Sequence, residues 1–156
     1  MTLTANFTLD ELIKSQVAER KGINNNPSPE QIENLKALAV NILQPIRSHY
    51  NEALQISSGF RCAELCVAIG SKITSQHVAD ENAAAADFEI WGRDNKEVAT
   101  YIRDNLEFDQ LILEFYKEGE PNSGWIHCSY SSNQNRNQCL YASREDGKTK
   151  YTPWLS

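Results

Sequence analysis

The sequence predicts an α+β fold: an antiparallel sheet of four or five strands, with two N-terminal helices packed against one face and the functional side chains on the other. Three observations lead there. Capped segments with helical spacing of apolar residues fill the first fifty positions, and short alternating segments separated by turn residues dominate from Leu54 onward. The 156 residues, 40% of them hydrophobic, suffice for one compact domain and its core but not for two.

The first helix is announced by Thr8 with Glu11 three residues later, a capping box, preceded by Phe7 as a hydrophobic staple. Leu9, Leu12, Ile13 and Val17 hold the spacing of one amphipathic helix until Gly22 stops it. After the turn-rich Asn24–Pro27, a cap at Ser28, Pro29 at the first position and Gln31 open a second helix. Its apolar stripe runs from Ile32 through Leu35, Leu38, Ile42 and Leu43 to Ile46, and Pro45 should kink it. His49, at its polar end, reads as a dipole-stabilised or solvated residue.

Leu54–Ser58 alternates as a strand and is broken by Gly59, so Arg61 emerges beside a turn. Ala63–Ile69 is expected to be a short helix, and Ser71–Gln76 a loop leading to His77. Residues 78–84 read as a second loop, and Ala85–Ile90 as a buried strand in which Asp87 and Glu89 alternate with apolar residues. Asn95–Leu106 has the pattern of a scaffold helix. Gln110–Phe115 and Trp125–Tyr130 form a hairpin whose correct register brings Glu114 beside His127, because Ile112 and Glu114 share one strand face and Trp125 and His127 share another. Gln138–Ser143 is a possible last strand, and Lys148 onward a tail docked by Tyr151, Trp154 and Leu155.

Charge and composition narrow the function. With 21 acidic against 15 basic residues and a net charge of -6, the chain has no electrostatic footprint for nucleic acid. No segment approaches the ~20 apolar residues of a membrane span, and residues 1–6 lack the basic and apolar regions of a signal peptide, so synthesis in the cytoplasm as a soluble protein is expected. Cys62, Cys66, Cys128 and Cys139 do not have finger or ribbon spacing and read as reduced thiols, with Cys128 facing the core.

What remains is chemistry. His77, Asp87 and His127, each ending or lying in a segment that reads as a strand, outline a catalytic zinc site: imidazole nitrogen and carboxylate oxygen are zinc ligands, and an enzyme leaves the fourth position open. Arg61 offers a planar two-pronged donor for a substrate carboxylate or an oxyanion.

Phe7-Thr8-Leu9-Asp10-Glu11-Leu12, Ser58-Gly59-Phe60-Arg61, Ser75-Gln76-His77, Ala85-Ala86-Asp87-Phe88 and Trp125-Ile126-His127 stand in an order that resembles the zinc-dependent D-alanyl-D-alanine peptidases of peptidoglycan, particularly their compact phage and bacterial branch. The resemblance implies His77, Asp87 and His127 as zinc ligands and Arg61 at the scissile carbonyl. It also calls for a proton-transferring carboxylate, commonly three residues before the last histidine, where this chain has Gly124. Glu114 is the expected replacement, with Glu118 and Glu120 as weaker ones, and Ser75, Gln76 and Trp125 are expected to line the substrate cleft. The segment between His77 and Asp87 is longer than usual and lacks the family's glycine, which makes Asp80 and Glu81 rival ligands. The implied activity is hydrolysis of peptidoglycan stem peptides, of D-Ala-D-Ala carboxypeptidase type, in a phage or prophage lysis enzyme acting after membrane permeabilisation or from the virion. The alternatives are an endopeptidase cutting an L-Ala-D-Glu bond or a cross-bridge, and a non-catalytic zinc-binding virion or wall-binding module.

Overall fold

In the computed structural model, which describes residues 1–154, the N-terminal third is helical, although not as one helix and then another. Thr8 caps α1 (Leu9–Ile13) by accepting from the Glu11 amide, but Lys14 is extended and Ser15 caps a separate α2 (Gln16–Lys21), which ends at left-handed Gly22. The single helix expected over this stretch is therefore two, because Ser15 offers its hydroxyl to the Ala18 amide and restarts the chain in a new direction. The capping box at Ser28 and Gln31 forms as expected and opens α3 (Pro29–Leu38).

Pro45 does not end the second helical stretch. A π-helical segment, Ala39–Leu43, joins α3 to α4 (Gln44–Tyr50), and the chain stays helical through the proline. Proline has no N–H for the carbonyl four residues before it, and a π-turn shifts hydrogen bonding to a five-residue step just upstream, which removes that demand.

Six strands follow: β1 (Gln55–Ser58), β2 (Ala83–Glu89), β3 (Gln110–Glu114), β4 (Trp125–Ser131), β5 (Gln138–Glu145) and β6 (Lys148–Pro153). Two further helices, α5 (Ala63–Ala68) and α6 (Asn95–Asn105), lie between them. The strands form one sheet in the order β1-β2-β4-β3-β5-β6, antiparallel except for β3 with β5. Four or five antiparallel strands were expected. The extra strand is Lys148–Pro153, which pairs with β5 through a turn at Asp146-Gly147 instead of forming a tail. Trp154 is buried and Tyr151 exposed; Leu155 lies outside the described residues.

Period-two alternation divides the sheet into two faces. Ala84, Ala86 and Phe88 of β2, Leu111 and Leu113 of β3, and Ile126 and Cys128 of β4 belong to one buried cluster with Leu35, Leu38, Ile42 and Ile46 from the second helical stretch and Val98 and Ile102 of α6. The alanines of β2 leave room for those larger side chains. The intervening residues, Asp87, Ile112, Glu114, Trp125 and His127, project from the other face.

The hairpin between β3 and β4 closes through Gly124, at φ +65°, where a Cβ would stand 2.0 Å from the Glu114 carbonyl oxygen. The position where the resemblance calls for a carboxylate is thus blocked by backbone. Gly124→Ala is expected to cost about 2–4 kcal/mol, the sum of left-handed strain and overpacking. Urea unfolding of the variant measures it, and a loss below ~1 kcal/mol would mean that the hairpin can open without cost.

Candidate metal centre

Three segments meet on the free face of the sheet. Asp87 is held by β2 and His127 by the neighbouring β4, directly opposite in register. His77 comes from a 3-10 turn, Gln76–Val78, and not from a strand end as expected. Ser75 caps that turn by accepting from the His77 amide at 3.2 Å, and the Arg61 amide donates to the His77 carbonyl at 2.9 Å. Phe60 donates to the Leu12 carbonyl, which also approaches Gly59 so closely that a Cβ there would stand 2.2 Å from it. Glycine is therefore required beside the site for contact with α1.

The side chains converge accordingly. The Nδ1–H of His77 donates to the Gly59 carbonyl at 2.7 Å, which leaves Nε2 free to face Asp87 Oδ1 at 3.3 Å. His127 Nδ1 lies 2.9 Å from the same carboxylate oxygen. Donor atoms of His77, Asp87 and His127 all fall within 4.8 Å of one another, and all three residues are buried. A tetrahedral zinc with arms of about 2.0–2.1 Å sets its ligand atoms roughly 3.3 Å apart, near the 3.3 and 2.9 Å that separate the two histidines from Asp87 Oδ1. The backbone hydrogen bond on the far nitrogen of His77 is the support that metal-ligating histidines usually have.

Electrostatics suit the same purpose. Burial pushes the His77 pKa down, against the pull of Asp87, which keeps the imidazole neutral as a ligand must be. Burial alone would raise Asp87, but the two imidazoles beside it, with His127 Nδ1 at 2.9 Å, outweigh burial and hold the carboxyl well below the usual range. Arg61 lies over the cluster, its Nη2 3.5 Å from Asp87 Oδ2 and its Nε donating to Ser58 Oγ at 3.0 Å.

Glu114 lies on this face but one row further along than the expected pairing: it stands opposite Trp125, while His127 stands opposite Ile112. It is thus a diagonal neighbour of His127, at a typical strand spacing of roughly 7–8 Å. Burial and the Asp87 charge raise its pKa, while His127, Trp125 and Arg61 pull it down. The Trp125 indole nitrogen is buried beside it without reaching full hydrogen-bond geometry to any partner.

Other candidates are placed elsewhere. Glu118 is bound by Lys96 at 2.6 Å and Glu120 is exposed in the connecting loop. Asp80 accepts from Gln31, and neither it nor Glu81 joins the metal-binding group. His49 stacks on Tyr101. The four cysteines are free thiols, and Cys62 caps α5 through its sulfur. The missing glycine before Asp87 is answered by Ala79, Glu81 and Asn82, which take φ of 61°, 54° and 67°.

Two supporting residues escaped the sequence reading. Asn25 donates to the Ile13 and Phe60 carbonyls and accepts from the Cys62 amide, tying the first helices to the Arg61 segment. Asp109 accepts from Gln76 Nε2 at 2.6 Å and from three nitrogens of Arg136, so Gln76 is committed to the turn that carries His77. Neither has a sequence signal, since each is one polar residue whose partners are distant in the chain.

A sheet that presents two buried histidines and a carboxylate, with an arginine beside them, defines a candidate metal centre of the kind a zinc enzyme uses. The chain belongs to the Peptidase M15 family, whose family model matches residues 5–129. Peptidases of this family depend on zinc, and the buried His77, Asp87 and His127 cluster is able to bind it. No curated protein matches the chain. The matched span ends within β4, so β5 and β6 lie beyond it.

Arg136 holds the Asp109 pKa down at about 2, helped by Gln76 and against burial. A depressed carboxyl stabilises the fold above its unfolded pKa near 4, and that stabilisation is lost as pH falls toward 2. Asp109→Asn should therefore cost about 2 kcal/mol at pH 7 and progressively less below pH 4. Urea unfolding of both proteins from pH 7 to pH 2 tests this; a constant difference would place the effect outside titration.

Proposed function

We propose that the protein hydrolyses peptidoglycan stem peptides as a zinc metallopeptidase of D-Ala-D-Ala carboxypeptidase type. The observation that carries this reading is the convergence of His77, Asp87 and His127 beside Arg61, with Glu114 buried on the same sheet face. His77, Asp87 and His127 hold the metal. Zinc bound there supplies Lewis-acid polarisation of a carbonyl and lowers the pKa of water toward ~7.

The protein's own groups do the rest. Glu114 accepts a proton from the attacking water and delivers it to the departing amine nitrogen, so that water is added across the C–N bond. Its raised pKa suits both halves of that transfer. Arg61 donates to the carbonyl oxygen as it gains charge, and Ser58 holds the guanidinium in position. Trp125 forms the wall beside Glu114.

One observation favours a second reading. The cavity beside Arg61 measures 760 Å³, enough for several residues of a peptide and more than a single terminal alanine needs, which suits an endopeptidase cutting within the stem or a cross-bridge. The non-catalytic alternative rests on the missing acid at Gly124; Glu114, on the same sheet face one row from His127, is the acid that a catalytic reading requires in its place. As a phage or prophage lysis enzyme the protein would reach the wall through a separate permeabilising protein or from the virion. Among the described residues no helix is long and apolar enough to cross a membrane.

Purified protein is expected to carry one zinc per chain by elemental analysis, and His127→Ala to lose it. Glu114→Gln should keep the zinc while amine release from purified peptidoglycan falls by about 10²–10⁴-fold. Arg61→Ala should lower kcat by about 10²–10³-fold. A wild-type protein that carries zinc but releases no amine would return the reading to a binding module.

A further inference from the structure

The 760 Å³ cavity is not centred on the metal cluster. It begins at Ser58 and Arg61 and extends along β1, all four residues of which line it. One wall comes from α1, α2 and the link between them, including Glu11, Lys14 and Arg20, and the other from α5 and Ile69 just after it. β1 is the first strand of the sheet and pairs only with β2, so its second edge has no strand partner among the described residues. Such an edge accepts an extended peptide through main-chain hydrogen bonds. Ser58 stands opposite Asp87, so a peptide lying along β1 is led past Arg61 to the cluster.

The charges along this path are one-sided. Three cations, Lys14, Arg20 and Arg61, line the cavity against one acid, Glu11, although the chain as a whole carries an excess of acids. Lys14 and Arg20 are exposed and make no ion pair among the described residues, so both charges stand open beside the cavity. Two cations left without internal partners beside the free strand edge provide charge for a ligand, and a carboxylate is the group they complement.

We propose that this groove binds the substrate peptide as an extended strand along β1, and that Lys14 and Arg20 select peptides carrying free carboxylates in the segment that lies there. The inference rests on the peptidase reading and adds a substrate class to it: anionic peptides, in preference to their amidated forms. It assigns Lys14 and Arg20 to binding and not to the reacting atoms.

The test uses the full chain with Glu114→Gln, to slow turnover, and two probes: the stem pentapeptide L-Ala-γ-D-Glu-L-Lys-D-Ala-D-Ala with free carboxylates, and the same peptide with both carboxylates amidated. Binding is followed by NMR titration at low and high salt. The acid form is expected to bind about tenfold tighter, with the preference shrinking at high salt. Lys14→Ala with Arg20→Ala should bring the acid-to-amide ratio toward one, and Lys14→Glu with Arg20→Glu should invert it. Both sites are exposed, and thermal unfolding checks that each variant is folded. Equal binding of the two peptides, no binding of either, or a preference that survives charge reversal would overturn the proposal. Hydrolysis by the wild-type chain is scored separately: acid preference without hydrolysis leaves the groove and removes the peptidase reading, while hydrolysis without acid preference does the reverse.

Discussion

Asp87 sets the terms for the site. Its carboxylate is nearly buried in the middle of a sheet, where an unpaired charge would cost several kcal/mol, and it stays charged because His77, His127 and Arg61 surround it. Those partners come from three places: the strand opposite, a 3-10 turn, and the segment just after the edge strand. Folding must bring all three together or leave the charge without compensation. The hydrogen bonds that fix the turn and the Arg61 segment to each other, Arg61 amide to His77 carbonyl and His77 Nδ1 to Gly59 carbonyl, are then part of how the carboxylate is tolerated. The same arrangement is ready for a cation, since a metal ion would add positive charge where the negative charge is already held.

Close backbone contact is the second constraint, and it accounts for where the acid is. At Gly124 there is no space for a side chain, because the hairpin draws that residue onto the Glu114 carbonyl. A carboxylate at that position and this hairpin exclude one another. The contact that forbids an acid on β4's approach also fixes the end of β3, and the last residue of β3 is Glu114, on the face of the cluster. The absence of a side chain at position 124 and the placement of Glu114 on the face of the cluster thus follow from one piece of geometry.

Much of this was legible in the sequence where a repeating pattern carried it. Alternation in β2, β3 and β4 separated Asp87, Glu114 and His127 from Ala86, Leu113 and Cys128, and the sheet keeps that separation. The caps at Thr8 and Ser28 formed because their signals are local. The break at Lys14-Ser15 was hidden, since apolar spacing runs on through it and only the tertiary path makes the second cap worthwhile. Hairpin register was off by one row, because a long connection leaves register to packing at Gly124. The parallel pairing of β3 with β5 had no signal at all: it depends on where the chain crosses after β4, which no short-range pattern encodes. Asn25 and Asp109 escaped for the same reason.

The C-terminal hairpin carries the argument past the family match. β5 and β6 follow residue 129, yet β5 pairs with β3 so that Ala142 stands opposite Glu114, and Tyr151 of β6 stands opposite Ala142. Direct cross-strand neighbours share a face, so Tyr151 is in the row of Glu114 and Trp125. Partial desolvation raises the phenol pKa of this largely exposed residue, and the charges of Glu114 and Asp87 add to the effect. Arg144 of β5 lies over the Phe115 ring, which in turn packs against Trp125. The C-terminal hairpin thus sets Tyr151, Phe115 and Trp125 around Glu114 on one side of the cluster, while Lys14, Arg20 and Arg61 lie on the β1 side.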